Sequence, residues 1–131
     1  MEQTTNRIWN LALDLVLAPA SMEYGRGITH LVNLLRVNTF IMANGLEQAL
    51  GTFDIEAFEA AAAACDYFDL QGAADIFRRL AMNKHDYDLA DSLNPSYWDY
   101  TGQRGGQRNG IEIALERRMQ KSPEDFELPE R

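Results

Sequence analysis

The stretch DIEAFEAAAAACDYFDL, Asp54 to Leu70, indicates the fold class of this 131-residue chain. On a 3.6-residue helical wheel, Glu56, Glu59 and Asp66 fall within about a quarter-turn of one another. Alanine has the highest helix propensity, and its small side chain lets a helix approach its neighbours closely. We therefore expect a helix capped by Asp54, with its acidic side in water. The packed side would consist of Phe58, Ala61, Ala62, Cys65 and Phe68.

Helical spacing of apolar residues recurs along the rest of the chain, with no convincing alternating strand pattern and no internal repeat. The sequence therefore predicts an all-α fold, a compact single-domain bundle of about five to seven helices over residues 1–131. In the first half of the chain, the predicted segments are a helix capped by Thr4 or Thr5 and ended by Pro19, a helix over 28–43 stopped at Asn44-Gly45, a short helical segment LEQAL, and the Asp54-capped helix. They are followed by a helix over 71–82 capped by Asp69 and a short helix over 87–93 before a turn at Asn94-Pro95. The last predicted segments are a flexible loop over 101–110, a helix over 111–121, and a further helix start at Ser122-Pro123.

Composition limits the classes of partner. The net charge of −8 disfavours non-specific attraction to nucleic acid and to anionic membranes, because both are negative, and favours cationic partners instead. The single cysteine, Cys65, rules out an internal disulfide and is expected to be a buried structural thiol. The first 21 residues resemble a signal peptide, but Glu2, Asn10 and Asp14 argue against one, so we expect a cytoplasmic protein.

The charge distribution is the feature that stands out most. No basic residue occurs between Arg36 and Arg78, and a second base-free acidic tract runs from Asp86 to Asp99. Surface helices normally intersperse both signs, so these carboxylates are either a solvated face or a surface for an external cationic partner. The candidate partner-binding residues are Glu47, Asp54, Glu56, Glu59, Asp66, Asp69 and Asp75.

Motifs for metal or cofactor chemistry are not found in the sequence. An EF-hand beginning at Asp86 would need glycine and glutamate where the chain has Asp91 and Tyr97. Two histidines and one cysteine, all far apart, do not suit a zinc site, and the loop GQRGGQRNG matches no phosphate-binding motif. We therefore expect no metal, no cofactor and no catalytic residues.

One family resemblance extends this prediction. The run over residues 37–81 resembles the core of the DNA-mimic-type family of small acidic helical proteins of bacteria, and the resemblance covers roughly 31–128. It implies an all-helical, often self-associating domain without catalytic activity, whose acidic surface occupies the DNA-binding face of a regulator or another nucleic-acid-binding protein. Carried over by position, the candidates are Glu47, Asp54, Glu56, Glu59 and Asp66. The residues that carry the resemblance are Asn38, Asn44, Gly45, Glu47, Gln48, Phe58, Ala61, Ala73, Ala74 and Phe77.

Three functional hypotheses follow. The first is a non-enzymatic acidic protein-binding domain that acts as a DNA mimic toward a basic partner. The second is an immunity or antitoxin-like protein that neutralises a basic toxin such as a nuclease. The third is a helical enzyme with a site assembled from His30, His85, Tyr97 and Trp98. The apolar residues spread around the first helix, including Trp9 and Leu17, also predict a homodimer.

Overall fold

A computed structural model describes residues 3–17, 24–102 and 109–128. Over these residues the chain forms six α-helices and one short 3-10 helix, with no strand, so the all-α prediction is confirmed. The elements are α1 (Gln3–Leu17), α2 (Arg26–Thr52), α3 (Ile55–Tyr67), α4 (Gln71–Met82), α5 (Tyr87–Thr101), α6 (Gly110–Lys121) and the 3-10 helix Pro123–Phe126.

Helix α2 is the centre of the bundle. It packs against α1, α3, α5 and the 3-10 helix, while α3 and α4 form a closely packed helical hairpin. The buried residues of α2 include Leu31, Leu34 and Ile41, which follow helical spacing along one side. The core is one continuous cluster to which all six α-helices contribute.

The wheel prediction for α3 is confirmed. Phe58, Ala61 and Cys65 are buried, and the Asp54 carboxylate accepts a hydrogen bond from the backbone N–H of Ala57 at 2.8 Å. The small alanine side chains bring α4 close enough for the rings of Phe58 and Phe77 to stack, with centroids 6.3 Å apart. This packing leaves the acidic side of α3 toward solvent.

The predicted helix stop at Asn44-Gly45 is confirmed. Gly45 leaves the helical conformation, with φ 87° and ψ 166°, so α2 consists of two helical halves joined across a kink, and the second half continues to Thr52. Glycine is required there because that φ is unfavourable for a residue with a side chain. The segment LEQAL is therefore the second half of α2.

The predicted turn at Asn94-Pro95 is wrong, because Pro95 lies inside α5. The residue before a proline usually avoids the helical region, which is why the sequence suggested an end there. Here Asn94 has a specific contact: its side-chain oxygen accepts a hydrogen bond from the backbone N–H of Leu46, 3.1 Å away on α2. This hydrogen bond joins α5 to α2 at the residue just before the proline.

Two predicted caps are also wrong. Helix α1 begins at Gln3, so Thr4 and Thr5 lie within it. The cap residue of α4 is Leu70, not Asp69. Asp69 instead follows Phe68, the C-cap residue of α3, with a left-handed φ of 60°.

Several boundaries agree with prediction. Helix α4 spans 71–82 as expected, α6 ends at Lys121, and the start at Ser122-Pro123 is a single turn of 3-10 helix. The predicted end of α1 at Pro19 and most of the predicted loop, residues 103–108, lie outside the described residues.

Candidate functional site: an acidic corner

Four of the seven acidic candidates lie where α2 meets α3. Glu47 is in the last turns of α2, Asp54 caps α3, and Glu56 and Glu59 lie in its first turns. All four are exposed, and none forms an ion pair with another described residue. These four residues match the prediction of exposed carboxylates without cationic partners.

The other three candidates have different surroundings. The guanidinium of Arg78 pairs with the carboxylate of Asp66 and lies 3.7 Å from that of Asp75. The expectation that Asp66 and Asp75 have no cationic partner is therefore wrong, because the hairpin brings Arg78 back beside them. Asp69 lies elsewhere, facing Arg117 and Lys121 of α6 across a cleft.

The start of α5 adds further acids to the α2–α3 junction. Asp86 caps α5 by accepting a hydrogen bond from the backbone N–H of Leu89 at 3.0 Å, and Asp88 follows in the first turn. The neighbouring Tyr87 packs beside Gly51 at the end of α2. Two tracts that are distant in sequence thus meet at one place. We call this surface the acidic corner, and it consists of Glu47, Asp54, Glu56, Asp86 and Asp88.

Lys84 lies beside this corner but does not neutralise it. Its ammonium donates hydrogen bonds to the backbone carbonyls of Leu50, at 2.5 Å, and Phe53. It also lies 5.3 Å from the centre of the Phe58 ring. Lys84 therefore satisfies carbonyls at the C-terminal end of α2, where a cation is favourable, and forms no ion pair with a described carboxylate.

Exposed apolar side chains accompany the acids. Ile55 is 47% exposed, Tyr87 is 43% exposed and Met82 is 83% exposed. Tyr87 and Glu47 line a shallow hollow of about 240 Å³, and Met82 and Glu59 line a second hollow of about 300 Å³. An apolar anchor with charged neighbours is the arrangement found in protein–protein interfaces.

A second polar cluster, centred on Tyr67, was not anticipated from sequence. The Tyr67 hydroxyl donates to the Asp125 carboxylate at 2.6 Å, His30 stacks on its ring at 4.7 Å, and the Arg118 guanidinium lies 4.0 Å from the ring centre. Burial, followed by the hydrogen bond to Asp125, raises the pKa of Tyr67 to about 12. Burial and the charges of Arg26 and Arg118 lower the pKa of His30. Sequence could not reveal this cluster because its members come from four separate segments.

The residues of the enzyme hypothesis are not brought together. Tyr97 is fully buried, donates to the Asn38 side chain at 2.6 Å, and has its pKa raised by burial. His85 and Trp98 are exposed, and His30 belongs to the Tyr67 cluster. Among the described residues, no hydrogen bond, ion pair or ring contact joins any two of these four.

In the described part of the chain, no group of three histidine, cysteine, aspartate or glutamate side chains could hold a metal ion. Over the same residues, no helix combines the length and apolarity that crossing a bilayer requires. Neither a family model, nor a curated protein, nor a solved structure matches the chain. The resemblance to the DNA-mimic-type family therefore stays a prediction.

Proposed function

We propose that this chain is a non-enzymatic protein-binding domain whose acidic corner binds a basic protein. The observation that carries the proposal is the state of Lys84, which donates to backbone carbonyls and leaves the neighbouring carboxylates without an ion pair among the described residues. Carboxylates in this state can each accept a charge-assisted hydrogen bond from an arginine or lysine of a partner.

The exposed apolar residues beside the acidic corner favour a protein as the partner over small cations. Burying Ile55 and Tyr87 against a partner would add hydrophobic stabilisation to the charge pairing. The acids around them would steer association, so the on-rate would fall as salt increases.

A DNA mimic is the specific form of this proposal. The corner would occupy the DNA-binding face of a regulator or another nucleic-acid-binding protein, so duplex DNA and this chain would compete for the same partner. An immunity or antitoxin-like role relies on the same charge pairing, with a basic toxin as partner. The identity of the partner separates the two roles.

The test compares two charge-matched triple variants as baits in a pull-down from the native cell lysate. Both remove three exposed negative charges, and both leave the caps Asp54 and Asp86 intact. The corner variant carries Glu47→Gln, Glu56→Gln and Asp88→Asn, and the control variant carries Asp14→Asn, Glu124→Gln and Glu127→Gln.

We expect a basic protein to be captured by the wild type and the control variant, and to be lost with the corner variant and at elevated salt. Release of that partner by a duplex oligonucleotide would support DNA mimicry, and a captured nuclease toxin would support the immunity role. Equal capture by both variants would mean that the corner is only a solvated surface.

The predicted homodimer remains a separate proposal. It is supported by Leu17 at the end of α1, which is 85% exposed. Light scattering of wild type and Leu17→Glu at micromolar concentration tests it. A monomeric mass for the wild type would exclude a dimer at that concentration.

A further inference from the structure

A cleft separates the turn between α3 and α4 from one side of α6. Its volume is about 130 Å³. For scale, an apolar cavity of about 150 Å³ binds benzene. The described residues that define its character are Phe68, Asp69, Ala114, Arg117, Arg118 and Lys121.

The cleft combines an apolar floor with a basic edge. Phe68 and Ala114 are buried, whereas Arg117 and Lys121 are exposed. Ala114, Arg117 and Lys121 are three and four residues apart, so they lie along the same side of α6. The small side chain of Ala114 leaves space one turn before the cations.

Arg118 is held in place at this cleft. Its guanidinium carbon lies 4.0 Å from the centre of the Tyr67 ring, and its Nε is buried without a hydrogen-bond acceptor in the described chain. Buried N–H donors are normally paired in folded proteins, so this Nε is a donor that a bound anion can satisfy. Stacking on Tyr67 reduces the freedom that Arg118 would lose when it binds an anion.

Asp69 is the acid of the cleft. Its φ of 60° is the one positive value at a non-glycine position in the described residues. The backbone N–H of Leu70 donates to the Cys65 carbonyl at 2.8 Å, and that of Asp69 donates to the Asp66 carbonyl at 3.2 Å. This pattern is a Schellman motif, in which glycine usually occupies the left-handed position. Asp69 forms no ion pair with Arg117 or Lys121, both of which are exposed, while Arg118 also hydrogen-bonds the Tyr67 side chain.

The C-terminal position of the cations accounts for part of this arrangement, since positive charge in the last turn favours the helix dipole. It does not account for the apolar floor beside them or for the buried Nε of Arg118. A bare inorganic anion would leave the half-buried Leu70 and Ile113, which also line the cleft, in contact with water. An anion with an apolar body would cover them.

We infer that this cleft binds a small organic carboxylate, whose apolar body lies on Leu70 and Ile113 above the buried Phe68 and Ala114, and whose carboxylate is bound by Arg117, Arg118 and Lys121. The arginines offer paired donors that match the two oxygens of a carboxylate. The site does not depend on the acidic corner, because none of its residues belongs to it.

The test is a titration of the ¹⁵N-labelled full-length chain with sodium benzoate, followed by amide chemical shifts. We expect saturable shifts concentrated at residues 68–70 and 110–121. Benzyl alcohol, which lacks the charge, and sodium sulfate at matched ionic strength, which lacks the apolar body, should each shift these amides less.

Variants distinguish a specific binding site from general electrostatic attraction of anions. The double variant Arg117→Gln with Lys121→Gln changes two exposed side chains, and it should weaken benzoate binding about tenfold or more. The control is Arg79→Gln, which removes an exposed charge outside the cleft and should bind benzoate like the wild type.

His30 provides an independent readout. Because the charge of Arg118 is one cause that lowers the pKa of His30, neutralising that charge with benzoate should raise it. Equal shifts with sulfate and benzoate, no saturable shift at millimolar benzoate, or equal weakening in the Arg79→Gln control would each overturn the inference.

Discussion

The side-chain oxygen of Asn94 lies 3.1 Å from the backbone nitrogen of Leu46 and accepts its hydrogen bond, so a residue of α5 caps the second half of α2. The break at Gly45 removes Leu46 from the regular hydrogen-bond pattern of the helix. A cap is normally supplied by the residue just before the helix. Here it is supplied 48 residues away, so the capping also fixes how α5 packs on α2.

Replacing Asn94 with alanine should lower the free energy of unfolding by about 1–2 kcal/mol, because a partly buried backbone N–H would lose its acceptor. Urea denaturation measures the change. Asn94→Asp keeps an acceptor at the same position and should lose less. Equal losses in the two variants would show that the hydrogen bond is not the cause.

Gly45→Ala should destabilise the fold by about 1–3 kcal/mol through backbone strain alone. The nearest atom to an added Cβ, the side-chain oxygen of Asn94, is 3.8 Å away, so no clash contributes. The matched control is Gly51→Ala, at a helical and exposed position where the added Cβ meets Tyr87 at 3.5 Å. Gly51→Ala should raise the free energy of unfolding by about 0.5–1 kcal/mol. Thermal or urea unfolding should therefore show that the two substitutions change stability in opposite directions.

Asp69→Gly should raise the free energy of unfolding by up to about 1 kcal/mol, because glycine adopts a left-handed φ without the steric penalty. Asp69→Ala should lower it, since alanine lacks the polar side chain that helps aspartate tolerate this conformation. Urea denaturation of both variants tests the pair. A loss of stability in Asp69→Gly would mean that the carboxylate itself stabilises the fold.

His30 should make stability fall as the solution becomes acidic. Its pKa is lowered in the folded state by burial and by Arg26 and Arg118, while Asp125 opposes them and the Tyr67 ring stacks on it. Below its ordinary pKa of 6.5, the unfolded chain therefore binds more protons than the folded chain, and stability declines with falling pH. The measurement is the difference in urea stability between wild type and His30→Gln from pH 8 to pH 5. Below about pH 6.5, the free energy of unfolding of the wild type should fall relative to that of His30→Gln. A difference that stays constant with pH would contradict the prediction.

The fold class and the orientation of α3 were predictable because both depend on local periodicity. Asp54 as a cap and the burial of Phe58 and Cys65 follow from that same pattern. The break at Gly45 and the helical segment after it were also predictable, because Asn-Gly is a local stop signal. The cap on the second half of α2 was not predictable, because Asn94 supplies it from another helix.

The candidate site was predictable in part for a similar reason. The acids Glu47 and Glu56 are recognisable from the tract without bases, and both are exposed. Asp66 was misjudged because its cation, Arg78, is twelve residues away and returns through the hairpin. The contribution of Asp86 and Asp88 to the corner depends on the packing of Tyr87 against α2, which spacing along the chain does not encode.

Helix α3 has acidic residues at its start and faces basic residues of α6 beyond its end. Asp54 and Glu56 lie at its start, and the turn that follows it meets Arg117 and Lys121 across the cleft. Thirteen residues of helix place these groups about 20 Å apart. We expect this separation to add a local dipole to the net negative charge, so that an approaching basic protein would experience a torque as well as an attraction. The relative orientation of the two molecules would be biased before their surfaces touch, which shortens the search for a productive encounter.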